Sequence, residues 1–102
     1  MNWHQLCDVT EVPDGTSREF LIAGRVIALF HSQQQWFALD GMCAHQGGPI
    51  AQGQLSGKCI TCPWHGWQYD VSNGTNLLTG KQMLDSFPVE QRDQQVWVQL
   101  SE

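Results

Sequence analysis

Two short segments of this 102-residue chain combine residue types that bind soft metals. Cys43-Ala44-His45 and Cys62-Pro63-Trp64-His65 read as C-x-H, sixteen intervening residues, then C-x-x-H. Each supplies one thiolate and one imidazole. Each is followed by glycine, in Gln46-Gly47-Gly48-Pro49 after the first and at Gly66 after the second. Ligands two or three residues apart in a tight loop can reach neighbouring metal ions. Glycines there let the backbone turn sharply and bring N–H groups close to anionic sulfur. Two kinds of centre use such a set. One is a structural zinc ion, for which Cys₂His₂ is an ordinary shell. The other is a [2Fe–2S] cluster, whose two neighbouring irons such a ligand set can reach. Zinc sites more often pair like ligands, as CxxC and HxxxH, whereas each loop here mixes the two types.

The segments that must hold these residues read as β-structure. Phe20-Leu21-Ile22-Ala23 and Arg25-Val26-Ile27-Ala28-Leu29-Phe30 are predicted strands meeting at Gly24, and Trp36-Phe37-Ala38-Leu39 is the next strand of a meander. Near the C-terminus, Phe87-Pro88-Val89-Glu90 and Gln95 to Leu100 flank a polar turn, Gln91 to Gln94. The last run alternates, with Val96, Val98 and Leu100 on one side and Gln95, Trp97 and Gln99 on the other. Pro88 cannot donate to a ladder, so its strand begins there or lies at an edge. No window offers a long amphipathic helix. The middle third differs: residues 41–80 hold eight of the ten glycines and three of the four cysteines. Such a segment has few side chains with which to build a core, and a metal centre would hold it together.

The two ligand segments resemble the cluster-binding loops of Rieske proteins, most of all through Cys62-Pro63-Trp64-His65-Gly66-Trp67-Gln68-Tyr69-Asp70. The resemblance covers the ligands, their spacing and the loop glycines, and more loosely the whole chain. It implies an all-β Rieske domain over residues 1–102: antiparallel sheets forming a base, with a cluster-binding subdomain inserted at about 41–67. It also implies one [2Fe–2S] cluster per chain, with Cys43 and Cys62 on one iron and His45 and His65 on the other. Neutral imidazoles in place of anionic thiolates make the cluster easier to reduce, giving roughly −150 to +300 mV against about −400 mV for plant-type ferredoxins. Departures from the respiratory members place this chain at the low end. The positions of their loop-bridging disulfide are Gly48 and Trp64 here. Their serine that hydrogen-bonds a cluster sulfur is Trp67, while their tyrosine is matched by Tyr69. Fewer donors to sulfur leave the reduced cluster less stabilised.

Bulk properties narrow the role. Ten acidic residues against five basic ones give a net charge of −5 without any Lys/Arg cluster. Nucleic acid and anionic membrane are therefore poor partners, and a protein with a positive docking face is a better one. No apolar run approaches the ~20 residues of a membrane span, and the first residues lack the basic start and apolar run of a signal peptide. A cytoplasmic setting, where thiols stay reduced, is expected.

By its resemblance the chain is an electron carrier rather than an enzyme. It would be a monomeric ferredoxin shuttling single electrons from a flavoprotein reductase to a terminal oxygenase, often an aromatic-ring dioxygenase. Alternatives are a small subunit of a larger enzyme such as nitrite reductase, an oxygenase N-terminal domain, or a zinc-stabilised binding module. The other candidate residues are given structural readings. Cys59 is expected to be a buried strand thiol, and Cys7 lies outside the pattern. His4 and His31 are surface or core residues, and Trp3, Trp36 and Trp97 are core or strand residues. Trp64 and Trp67 are placed to shield the cluster, and Asp70 to open a turn over Val71-Ser72-Asn73-Gly74.

Overall fold

A computed structural model describes residues 2–42, 47–64 and 66–100. Among these residues, ten strands form three antiparallel sheets. In the first sheet, β1 (Asn2–Asp8) pairs with β10 (Gln95–Leu100), which pairs with β9 (Val89–Arg92). The second runs in the order β2 (Thr16–Ile22), β3 (Arg25–Ser32), β4 (Gln35–Asp40) and β8 (Ser86–Phe87). The third holds three three-residue strands, β5 (Gln54–Ser56), β6 (Cys59–Thr61) and β7 (Gln68–Asp70).

The second sheet is the middle layer, and β3 shows why. Ile27, Ala28, Leu29 and Phe30 are all fully buried. Alternate side chains of a strand point to opposite faces, so an unbroken apolar run signals burial on both. Ile27 and Leu29 pack with Ala38, Val96, Val98 and Leu100, between the second sheet and the first. Ala28 and Phe30 pack with Leu39, Ile50, Ile60 and Tyr69, between the second sheet and the third. Two side-chain hydrogen bonds add to this second interface. Ser17 Oγ donates to the Ala51 carbonyl at 2.7 Å, and buried Ser32 Oγ donates to the Gly57 carbonyl at 2.6 Å.

The predicted meander is present, with one change at its first turn. Ala23 belongs to the reversal rather than to a strand: Ala23 and Gly24 both have positive φ, 51° and 79°. Two left-handed residues in succession make the type of hairpin turn whose twist matches the strands. The β3–β4 turn repeats this geometry with Gln33 (φ 53°) and Gln34 (φ 64°). There the Asp14 carboxylate steadies the two backbone amides, accepting from Gln33 N–H at 3.1 Å and from Gln34 N–H at 2.6 Å.

The C-terminal hairpin is also corrected. Phe87 and Val89 do not share a strand. Phe87 pairs with Ala38 in the second sheet, and Val89 pairs with Val98 in the first. Pro88 is the crossing point: it cannot donate to a ladder, while its carbonyl accepts from Gln99 N–H at 2.9 Å. The strand β9 then runs on to Arg92, which leaves a tighter turn at Asp93 and Gln94. The alternation of β10 is as read, with Val96, Val98 and Leu100 fully buried. The three strand tryptophans Trp3, Trp36 and Trp97 are half-buried. Arg92 lies over two of them, 5.0 Å from the Trp3 ring and 4.9 Å from the Trp97 ring.

Candidate metal centre

The first ligand loop leaves the end of β4 and is pinched at its base. Met42 and Pro49 form an isolated antiparallel bridge, and Ile50 N–H donates to the Gly41 carbonyl at 3.2 Å. Gly41 N–H in turn donates to Val26 of β3 at 2.9 Å. Gly41–Met42 and Pro49–Ile50 thus form a narrow base standing on the middle sheet. By sequence, Cys43 and His45 fall between them. Both lie outside the described residues.

The second loop joins β6 to β7. Thr61 pairs with Gln68, and Cys62 N–H donates to the Trp67 carbonyl at 2.7 Å. That bond closes the loop at Cys62. Gly66 has φ +72°, a left-handed turn residue immediately after position 65. His65 itself also lies outside the described residues. Cys62 is the candidate ligand that is described. It is 1% exposed and forms part of the core between the second and third sheets.

The two loops meet at the Cys62 sulfur. A Cβ built on Gly48 would stand 2.9 Å from Cys62 Sγ, 3.0 Å from Trp64 Cγ and 3.1 Å from Trp64 Cβ. Carbon atoms in ordinary contact are about 3.5–4.0 Å apart, so only glycine lets the first loop come this close. The two positions expected to replace the respiratory disulfide are thus in direct contact. A buried thiol, a glycine cradle against its sulfur, and thiolate and imidazole donors carried on both loops suit a metal–sulfur centre. When bound there, such a cluster supplies reversible one-electron storage.

The remaining candidates stay structural. Cys7 is buried in the core between the first and second sheets. Burial is the main cause that pushes its thiol up to about 11, with Glu11 adding to the effect, so it is a protonated thiol at neutral pH. Cys59 is half-buried rather than buried, because it sits on the short strand β6 opposite Ser56 and Asp70. His31 stacks on Trp36 with ring centroids 3.8 Å apart, and its Nδ1 lies 2.8 Å from the Val12 carbonyl. Trp67 packs against the loop-side core, whereas Trp64 is 47% exposed. Asp70 opens its turn as expected, its carbonyl accepting from Gly74 N–H at 2.8 Å and its carboxylate from Ser72 N–H at 2.9 Å.

Charge is sparse through the stretch that carries the ligand loops. From Gly41 to Tyr69 the only charged residue is Lys58. Acidic side chains lie outside it, among them Asp8 of β1, Glu19 of β2, Asp70 at the end of β7 and Glu90 of β9. Next to the second loop, a groove of about 430 Å³ runs between Gly66, Trp67 and Gln68 on one side and Asn76, Leu77 and Leu78 on the other. Leu78 is 89% exposed at its rim. The turn carrying it is ordered by Asn76, a buried side chain whose Oδ1 accepts from Leu78 N–H at 2.9 Å and Thr79 N–H at 3.1 Å. Sequence reading missed this turn and the contact at Gly48. Asn76 between Thr75 and Leu77 gives no periodic signal, and a glycine in a pattern does not reveal what it touches.

Comparison with known proteins agrees with this architecture. The family model of the Rieske [2Fe–2S] domain matches residues 2–88. The 3-phenylpropionate/cinnamic acid dioxygenase ferredoxin subunit of Photorhabdus laumondii is 32% identical over 95% of this chain and 93% of its own length. Methylxanthine N1-demethylase NdmA of Pseudomonas putida is 27% identical over 96% of this chain, which spans only 32% of that larger protein. Among solved structures, a chain from the complex of reduced oxygenase and oxidized ferredoxin in carbazole 1,9a-dioxygenase superposes with a TM-score of 0.86. It is 28% identical over 94% of this chain and 91% of its own.

Proposed function

The chain belongs to the Rieske [2Fe–2S] family, and on that premise we propose that it is an electron carrier, the ferredoxin component of a ring-hydroxylating oxygenase system. The observation that carries the reading is the convergence of the two loops on Cys62, in a chain that matches a dioxygenase ferredoxin subunit over nearly the whole length of both. Cys43, His45, Cys62 and His65 hold one cluster per chain, cysteines on one iron and histidines on the other. The third sheet and the two loops make up the cluster-binding subdomain, and the first two sheets form its base. Electrons arrive from a flavoprotein reductase and leave to a terminal oxygenase. Both meet the carrier, a cytoplasmic monomer, at the loop end. With Lys58 as the one charge in that stretch, docking there relies on apolar contact beside the second loop, and the negative charge of the base acts only at a distance.

Metal analysis with paramagnetic resonance of the dithionite-reduced protein tests the reading. About two irons and two sulfides per chain, with an anisotropic signal of low average g, are expected. One zinc without sulfide would replace electron transfer by a zinc-held binding module. The ligand assignment has its own test in His65→Cys. An anionic thiolate in place of a neutral imidazole should move the potential down toward the ~−400 mV of all-cysteine clusters. An unmoved potential would sink that assignment.

A further inference from the structure

We infer that Gly48 and Trp64 are positioning residues for the Cys62 sulfur, forming a packed contact that holds the two ligand loops in register. This rests on the reading that the loops carry a [2Fe–2S] cluster. Gly48 is not in the left-handed region, so a turn does not require glycine there; space does. Its missing Cβ would lie 2.9 Å from Cys62 Sγ, inside any normal contact, and against the first two carbons of the Trp64 side chain. Cys62 has little freedom to yield. It is 1% exposed within the loop-side core, and its N–H is engaged by Trp67 at 2.7 Å. Trp64 leaves 47% of its surface exposed. Burial of the indole alone is a poor reason for a tryptophan at this position, and the contact of its Cβ and Cγ with the opposite loop supplies a better one. The sulfur is thus held from three sides: by its own backbone, by the core, and across the loops by Gly48 backed with Trp64.

The contact also has the spacing of a cross-link. The built Gly48 Cβ and the Trp64 Cβ are 3.1 Å apart, and disulfides place these atoms about 3.5–4.5 Å apart. A shift of a few tenths of an ångström would let Gly48→Cys with Trp64→Cys form a covalent bond where packing now serves. Three variants of the cluster-loaded protein make the test: Gly48→Ala, Trp64→Ala and that double cysteine. The readouts are g-values, midpoint potential and the rate of iron loss to a chelator. The thermal midpoint of the iron-free protein reports folding alone.

Gly48→Ala should shift the g-values and the potential and release iron about tenfold faster, the scale expected of overpacking a tight site. Trp64→Ala should also release iron faster, and Trp64→Phe should recover most of the loss. The oxidised double cysteine should return to the wild-type rate and lose that rescue when a thiol reductant is added, while wild type in the same reductant does not change. If Gly48→Ala fails to fold, the Trp64 series and the double cysteine still decide. Wild-type spectra and release rates in Gly48→Ala would overturn the inference, as would a double cysteine no better than Trp64→Ala. Wild-type protein carrying zinc and no sulfide would instead overturn the cluster reading itself.

Discussion

The two sides of the middle sheet are stabilised by different means. On the base side, long strands with regular alternation cover β3 and β4, and the first sheet closes the core with Val96, Val98 and Leu100. On the loop side, the partners are three-residue strands and turns. Order there comes from backbone pinches at Met42–Pro49 and Cys62–Trp67, from the buried Asn76, and from side chains such as Ser32 that reach across. Its core is nonetheless as substantial as the base's, with Phe30, Leu39, Ile50, Ile60, Tyr69 and Val71 all fully buried. One side is a sandwich of longer strands. The other holds an equally large core beneath short strands and turns.

The sharpest way to break this comparison is to truncate neighbouring residues of β3 that face opposite sides. Phe30→Ala should cost about 3–5 kcal/mol and Leu29→Ala about 2–5 kcal/mol, measured by denaturant unfolding. Phe30→Ala should also speed iron loss, because Cys62 shares its core, whereas Leu29→Ala should leave the rate unchanged in the folded fraction. Equal effects on iron loss would show that the two cores act as one.

A smaller effect belongs to the base alone. The Cys7 thiol is raised from 9.0 to about 11 by burial, so the folded state prefers the protonated form. Its contribution is fully present below about pH 9, and is lost as pH rises toward 11, because the unfolded chain then gains thiolate that the fold disfavours. The thermal midpoint should fall through that window, and Cys7→Ala should flatten the fall without altering the g-values. Smaller still is Asp14→Ala, which removes the acceptor for two amides of the left-handed Gln33–Gln34 turn. It should cost about 1 kcal/mol in thermal unfolding and leave the potential untouched. A moved potential would mean that the β3–β4 turn communicates with the loops.

The same contrast sets how much could be read from sequence. The base announced itself through regular patterns: the apolar run of β3, the alternation of Val96, Val98 and Leu100, and the reversal at Gly24. The errors on that side were local. Ala23 accepts a positive φ because the hairpin twist demands it, and Pro88 joins two sheets where a continuous strand was expected. On the loop side the candidate ligands were legible because chemistry, not periodicity, marks them. The strands β5 and β7 were not, since three residues carry no period, whereas β6 was expected around Cys59 and is present there. Gly48 and Asn76 act through what they touch, and contact with a residue far along the chain leaves no trace in local composition.

Because β3 lines both cores, the order in which the chain assembles is constrained. The β2–β3–β4 meander is closed by two-residue turns, so its pairing needs only neighbouring segments. By contrast, Asn2 must find Leu100 across almost the entire sequence, and that long closure carries a larger entropic cost. A chain that has formed the meander already presents one wall to each core. The terminal strands and the ligand loops then add to opposite faces of it, in steps that need not wait for one another.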